Sequence, residues 1–122
     1  MARRPITLPP EVTRLIPLTP AVFYVILALS PGPLHGYAIM QETETLSAGG
    51  FRMGPATLYS TIQRLVGLDL MAETVEDSSE DSRRRYYELT DMGRRLLETE
   101  VERMGSVVRI ANARLSPRRT VG

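Results

Sequence analysis

The stretch that decides the fold is residues 54–67, which read GPATLYSTIQRLVG. Leu58, Ile62 and Leu65 recur at helical spacing, so one face of this segment is apolar. Proline is favoured in the first turn of a helix, and Gly54-Pro55 therefore marks its start. The sequence predicts an amphipathic helix that ends near Gly67 and Asp69. Its opposite face is polar and carries Thr57, Tyr59, Ser60, Gln63 and Arg64.

Two strand-like segments follow this helix, at 70–76 and 83–89, and a polar stretch at 77–82 separates them. Short strand-like runs around a polar tip predict a β-hairpin, which we call the wing. Side chains alternate between the two faces of a strand. We therefore expect Tyr87 and Leu89 to face the core, with Arg83 and Arg85 on the same side of the strand and Arg84 on the other.

A first helix is predicted well before this segment. Thr19-Pro20 supplies a favourable N-cap and first residue, and the apolar run Ala21–Leu29 suits a helix buried between two surfaces. Ser30-Pro31-Gly32-Pro33 stops it. The folded part of the chain is expected to begin at Thr19, because residues 1–18 hold four prolines and read as an arm with at most a helical turn near 11–16.

A second helix is expected from about Leu34 to Ser47, where the sequence Ala48-Gly49-Gly50 breaks it. Phe51–Met53 is long enough only for a strand fragment. The residues of the second helix expected to reach the core are Ala38, Ile39 and Leu46.

The last predicted helix starts at an N-cap, Thr90, and runs for about 24 residues to a point before Pro117. At 1.5 Å per residue it is about 36 Å long, which is more than a small three-helix core can cover. We favour packing against a second copy of the chain, with the first helix as a further contact; packing within its own subunit is the alternative. Its apolar residues form a heptad seam at Leu97, Val101, Met104, Val108, Ala111 and Leu115.

Composition excludes several classes of function. The 122 residues suit one domain, and 15 basic against 14 acidic residues leave a net charge of +1, so any nucleic-acid site must be a local patch. The chain has no cysteine, a single histidine (His35) and no glycine-rich phosphate loop, so we expect no enzyme, no metal and no cofactor. No apolar run approaches the roughly 20 residues of a membrane span, and a soluble cytoplasmic protein is expected.

The order of helices followed by a hairpin predicts a mainly α fold with a small β-hairpin, arranged as a winged helix-turn-helix. In that fold the third helix lies in the major groove of DNA and the wing lies beside it. Gln63 and Arg64 suit adenine and guanine edges, and the hydroxyls of Thr57, Tyr59 and Ser60 suit phosphates. The cluster Arg83–Arg85 at the base of the wing would hold the DNA backbone.

Other interpretations of the same residues remain open. A polar helix face can simply be solvated, and Tyr37 and Tyr59 can be core residues. Acidic residues can neutralise the wing arginines, and they are Glu73, Glu76, Asp77, Glu80 and Asp81. In that case the alternative function is a winged-helix protein-interaction module that does not read DNA. Measuring DNA affinity against salt would separate the two functions, because phosphate contacts give a steep slope.

The chain resembles the PadR family of bacterial transcriptional regulators in its short form. The resemblance rests on an ordered series of segments: Leu18-Thr19-Pro20, Leu34–Ile39, Gly54–Tyr59, Arg83–Thr90 and Gly93. It implies a homodimeric winged-helix repressor that binds a palindromic operator and responds to a small aromatic or drug-like effector near the dimer interface. It also implies DNA contacts at Tyr37, Thr57, Tyr59, Ser60, Arg64 and the wing arginines.

Two departures from the family pattern affect these expectations. Asp69 stands where relatives usually have glycine after the third helix, and Gly67 is displaced by two positions. The chain has no tryptophan and no aromatic residue after Thr90, so Phe23 and Tyr24 are the candidate effector contacts. The expected organisation is an arm at 1–18, a winged helix-turn-helix at 19–89, a dimerisation helix at 90–116 and a basic tail at 117–122.

Overall fold

A computed structural model of the protein describes residues 6–74 and 85–117. Arg83, Arg84, the polar stretch 77–82 and the end of the basic tail lie outside the described residues. The predicted architecture, mainly helical with a small antiparallel sheet, is confirmed. The elements in chain order are α1 (Pro10–Thr13), α2 (Pro20–Ala28), β1 (Leu34–His35), α3 (Gly36–Leu46), α4 (Pro55–Gly67), β2 (Met71–Thr74), β3 (Tyr86–Leu89) and α5 (Asp91–Leu115).

The core lies where α2 packs against α3, α4 and α5. The predicted stripe on α4 is confirmed, because Leu58, Ile62 and Leu65 are at most 2% exposed. Burying one such side chain contributes about 1.5–3 kcal/mol to folding. The predicted start of α2 is also confirmed, since the Thr19 hydroxyl accepts a hydrogen bond of 3.3 Å from the amide of Val22.

The sheet has three strands in the order β1-β3-β2. The wing is the antiparallel pair β2–β3, and the prediction that Tyr87 and Leu89 face the core is confirmed. The predicted start of the second helix at Leu34 is wrong. Leu34 pairs with Tyr87 in the sheet, and α3 begins two residues later because the His35 imidazole caps it, with Nδ1 accepting from the amide of Ala38 at 3.2 Å.

The loop after α3 differs from the prediction. Leu46 is 41% exposed instead of reaching the core. Phe51–Met53 forms no strand. The amide and carbonyl of Phe51 both bond to the Ser47 hydroxyl, at 3.0 and 3.1 Å, so neither is available to a ladder. The Phe51 ring instead stacks on Tyr24, with 5.9 Å between the ring centroids.

The folded core begins before Thr19, which corrects the predicted boundary. Val12 of α1 and Leu18 are buried in the core. A contact distant in sequence explains this, because the amide of Leu18 donates a 2.9 Å hydrogen bond to Oε2 of the fully buried Glu100 on α5. The same carboxylate accepts from Nε and Nη2 of Arg103 at 2.7 and 3.0 Å.

The predicted bounds and N-cap of the last helix are confirmed in α5. The Thr90 hydroxyl accepts from the amide of Gly93 at 3.0 Å and donates to the Asp69 carbonyl at 2.7 Å. Asp69 has φ of +63°, a left-handed conformation that lets the chain turn out of α4 without a glycine. A Cβ on Gly93 would overlap the Leu70 carbonyl, so α5 starts in direct contact with the turn that ends α4.

The two halves of α5 have different surroundings. Leu96, Leu97 and Glu100 in the first half are buried against the core of the same chain. Val108 and Leu115 in the second half are 55% and 80% exposed. Among the described residues, no helix combines the length and apolar character needed to cross a lipid bilayer.

Candidate nucleic-acid interface

The polar face of α4 is exposed along its whole length. Its apolar face fixes the helix in the core, so the polar side chains point outward from a rigid support. The Ser60 hydroxyl donates to the Thr57 carbonyl one turn earlier at 3.1 Å, which leaves its oxygen free to accept. The exposed residues of this face are Thr57, Tyr59, Ser60, Gln63 and Arg64.

Tyr37 and Tyr59 lie on the surface and not in the core. Tyr37 is 61% exposed in the first turn of α3, and Tyr59 is 48% exposed on α4. The Tyr59 hydroxyl lies against Gly36, where an added Cβ would come within 2.6 Å of it. Gly36 therefore makes room for the Tyr59 ring at the start of α3.

The wing brings Arg85 to the same side of the molecule. Its side chain is 73% exposed and its Nε lies 3.5 Å from Oε2 of Glu73 on β2. Part of the predicted neutralisation of the wing arginines by acidic residues is therefore observed. Tyr87 is only 6% exposed. Burial raises the pKa of its hydroxyl most, the Glu73 carboxylate adds to the increase, and Arg85 opposes it.

A cleft of about 810 Å³ separates α4 from the wing. Tyr37 of α3 lines it, together with Tyr59 and Gln63 of α4 and Arg85 next to β3. Members of the two patches that the sequence suggested separately, Tyr59 and Gln63 on the helix and Arg85 at the base of the wing, therefore line one cleft. Thr57, Ser60 and Arg64 are exposed on α4 but do not line it.

Sequence reasoning gave no role in this cleft to two of its lining side chains, His35 and Val66, whereas it named Glu73 as a possible partner of the wing arginines. His35 caps α3 through Nδ1, so the proton of the neutral ring lies on Nε2. A histidine directly before a helix start is the signal that could have identified the cap. Val66 is 39% exposed, and its position one turn after Ile62 is visible in the sequence.

Phe23 and Tyr24 lie on α2 and contact other aromatic rings. Their ring centroids are 5.3 Å apart in an edge-to-face arrangement, and Tyr24 also stacks on Phe51. Among the described residues, no group of three histidine, aspartate or glutamate side chains is arranged to hold a metal ion.

Comparison with known proteins identifies this architecture. The model of the transcriptional regulator PadR-like family matches residues 25–99. The chain belongs to the PadR family. PadR proteins are transcriptional regulators and not enzymes, and they have a winged-helix DNA-binding fold.

Solved structures share this fold. A PadR family transcription regulator from Clostridium difficile R20291 superposes with a TM-score of 0.68 at 21% identity, over 80% of this chain and 100% of that chain. BpsR of Bordetella bronchiseptica, whose DNA binding is regulated by 6-hydroxynicotinic acid, gives a TM-score of 0.61 at 26% identity, over 91% and 74% of the two chains.

A curated relative comes from Streptomyces fradiae. It is described as an uncharacterized 37.1 kDa protein in transposon TN4556, and it is 43% identical over 84 residues, or 69% of this chain. The aligned part spans only 23% of that relative's length.

Proposed function

We propose that the chain is a homodimeric transcriptional repressor that binds a palindromic DNA operator and responds to a small effector. The observation that carries the proposal is the meeting of two patches. Tyr59 and Gln63 of α4 and Arg85 of the wing line a single cleft. A winged helix binds DNA with these two elements side by side, the helix in the major groove and the wing next to it.

Each part of this surface has its own role in the proposal. Gln63 and Arg64 read adenine and guanine edges, for which their paired donors and acceptors are suited. Tyr37, Thr57, Tyr59 and Ser60 bind phosphate oxygens and set the register of α4. Arg85 holds the backbone beside the wing, together with Arg83 and Arg84, which lie outside the described residues.

The dimer is supported by the exposed second half of α5. Apolar side chains that are half or more exposed, such as Val108 and Leu115, are stabilised when a partner covers them. The proposed seam runs from Val101, because Leu97 is already buried within its own chain. A two-fold dimer presents two copies of α4 to the two halves of a palindrome.

Control by a small effector is supported by the structural similarity to BpsR, whose DNA binding is regulated by a small planar acid. The Phe23–Tyr24 pair is the effector contact suggested by the sequence. Their mutual packing and the stack on Phe51 leave fewer free ring faces there than the sequence suggested.

Selection of bound fragments from the source genome tests the proposed function, and it yields the operator and the regulated genes together. The affinity for the selected operator should fall steeply with salt, because arginine contacts to phosphates release counterions. Failure to enrich any sequence, or an affinity independent of salt, would contradict the proposal and favour the protein-interaction module.

A further inference from the structure

The start of α3 depends on one side chain. The amides of the first helical turn have no carbonyl partner within the helix, and an N-cap side chain normally supplies one. Here Nδ1 of His35 accepts from the amide of Ala38 at 3.2 Å. The caps of α2 and α5 are instead the hydroxyl groups of Thr19 and Thr90, which do not titrate near neutral pH.

Protonation of His35 removes this cap. A neutral imidazole has one acceptor nitrogen, whereas the imidazolium ion has two donors and no acceptor. The charged ring would also lie at the positive end of the α3 dipole, which disfavours it. Histidine ordinarily changes charge between about pH 5 and 8, and His35 is the only histidine in the sequence. Mild acid therefore acts on the start of α3 and spares the threonine caps of α2 and α5.

Titratable groups from several elements surround the His35 ring. The ring packs edge-to-face with Tyr86 of β3, with 5.5 Å between the ring centroids, and Glu88 lies on the same face of that strand. The titratable side chains that line the adjoining cleft are Tyr37, Tyr59, Glu73, Arg85 and Tyr87. Glu73 and Arg85 are 3.5 Å apart, so their charges offset each other. Within residues 6–74 and 85–117, no carboxylate forms an ion pair with His35 that could compensate for the lost cap.

The first turn of α3 places two of the proposed DNA contacts. Tyr37 lies two residues after the cap and is 61% exposed, so its position follows the backbone of that turn. The Tyr59 hydroxyl of α4 lies against Gly36, where an added Cβ would come within 2.6 Å of it. Displacement of the first turn therefore moves Tyr37 and alters the contact that Tyr59 makes.

We propose that His35 is a positioning residue for the DNA contacts Tyr37 and Tyr59, and that its protonation weakens operator binding in mild acid. It acts through the backbone of α3 and does not itself contact DNA. The cap stands on the hydrogen bond from Ala38 alone, whereas the effect on operator binding rests on the proposed function. The direction of the pH effect separates this role from a direct contact, because an imidazolium that touched phosphate would strengthen binding in acid.

Operator affinity is measured at constant ionic strength between about pH 5.5 and 7.5, within the histidine range. The parent chain should bind the selected operator about fivefold more weakly at the acidic end, the usual equilibrium cost of losing one N-cap. His35→Asn should bind at every pH as the parent does at neutral pH, because asparagine is a good N-cap and does not titrate. His35→Ala should be about fivefold weaker at both ends. Stronger binding in acid, or a pH profile that the parent shares with His35→Asn, would overturn the proposal.

A matched control separates positioning from general loss of stability. Thr19→Ala removes the hydroxyl that caps α2, a helix that packs in the core and carries none of the proposed DNA contacts. Its melting temperature should fall, while its operator affinity should equal that of the parent chain across the pH range. An equal loss of operator affinity in Thr19→Ala and His35→Ala would show that His35 acts only through stability, and would refute the positioning role.

The cap itself is tested without DNA, by exchange of backbone amide protons with solvent in the full chain. After correction for the intrinsic pH dependence of exchange, the protection of the Ala38 amide should fall about fivefold in mild acid. The protection of the Val22 amide, which Thr19 caps, should not change. Constant protection at Ala38 would refute the loss of the cap, and lost protection without a change in operator affinity would refute the positioning role. Absence of operator binding at every pH would refute the proposed function and leave the cap standing.

Discussion

The carboxylate of Glu100 is fully buried between α5 and the N-terminal segment, where it accepts hydrogen bonds from the Leu18 amide and the Arg103 guanidinium. Removing an ionised carboxylate from water costs several kcal/mol unless its oxygens are well bonded. The hydrogen bonds from Arg103 lower the pKa of Glu100 most, burial opposes the decrease, and the Leu18 amide adds to it. In acid, the Glu100 carboxyl is therefore protonated less in the folded chain than in the unfolded chain.

This difference sets a pH dependence. The free energy of unfolding gains the full contribution of Glu100 above the ordinary glutamate pKa of about 4.5, and loses it as the pH falls through the lower folded-state pKa. Glu100→Gln keeps an acceptor for Leu18 but does not titrate, so its stability should decline less below about pH 4.5. Urea denaturation across this range measures both slopes.

Glu98→Gln is the matched control, because Glu98 is an exposed glutamate on the same helix, with a side chain 59% accessible. Its slope should match that of the parent chain. Parallel loss of stability in the parent and in Glu100→Gln would show that another carboxylate governs the acid range.

At the scale of elements, α4 has one face for the core and one for a partner. The buried side chains of Leu58, Ile62 and Leu65 fix α4 in the core. Tyr59 and Arg64 are exposed on its outer face. A substitution on the outer face can therefore change binding without loosening the core.

Tyr59→Ala or Arg64→Ala should weaken operator binding by about 1–3 kcal/mol, the usual loss for a base contact or an equivalent polar contact. The melting temperature and the assembly should stay close to those of the parent chain. Affinities come from fluorescence anisotropy with the selected operator. The control is Arg14→Ala, at an exposed arginine outside α4, and its operator affinity should equal that of the parent chain. If all three variants bind the operator as the parent chain does, α4 is not the helix that reads DNA.

The elements that the sequence predicted well are those with local signals. The stripe on α4 and the threonine caps at Thr19 and Thr90 depend on residues a few positions apart, and the hairpin pairs two segments that are neighbours along the chain. The elements that it missed depend on distant partners. Strand β1 exists because Leu34 pairs with Tyr87. The segment at Leu18 is held in the core by a hydrogen bond to Glu100, which lies 82 residues later in the chain.

The candidate site was predicted in part for the same reason. The exposed side chains of α4 follow from its periodicity, so Gln63 and Arg64 could be placed on its outer face. The cleft could not be predicted, since it arises where the wing lies beside α4 and Glu73, His35 and Tyr59 come to line one space.

At the scale of the whole molecule, the second half of α5 extends beyond the core that covers the first half. Val101 and Val108 are 48% and 55% exposed in the single chain, so neither contributes much to its own fold. Their contribution is expected in the assembly.

Replacing both Val101 and Val108 with Glu should give folded monomers, because two charges in the middle of the seam would be buried without partners at a cost of several kcal/mol. Operator binding should also be lost, because one half-site forfeits the benefit of two linked contacts. Light scattering and thermal melting measure assembly and folding separately. As a control, the double variant Ser106→Glu and Ala113→Glu places the same charges on the face opposite the seam and should leave the assembly intact. A folded dimer in the variant with Glu at positions 101 and 108 would rule out the seam.

The junction between α4 and α5 has a consequence for the length of DNA that the protein accepts. Gly93 touches the Leu70 carbonyl and Thr90 is bonded to Asp69, so the turn that ends α4 and the start of α5 form one stiff joint. In a dimer joined through α5, two such joints hold the paired copies of α4 at a set separation and rotation. Such a dimer would select operators by the distance between their two half-sites. An operator lengthened by about five base pairs turns its second half to the opposite side of the duplex, so the proposed dimer should bind it more weakly.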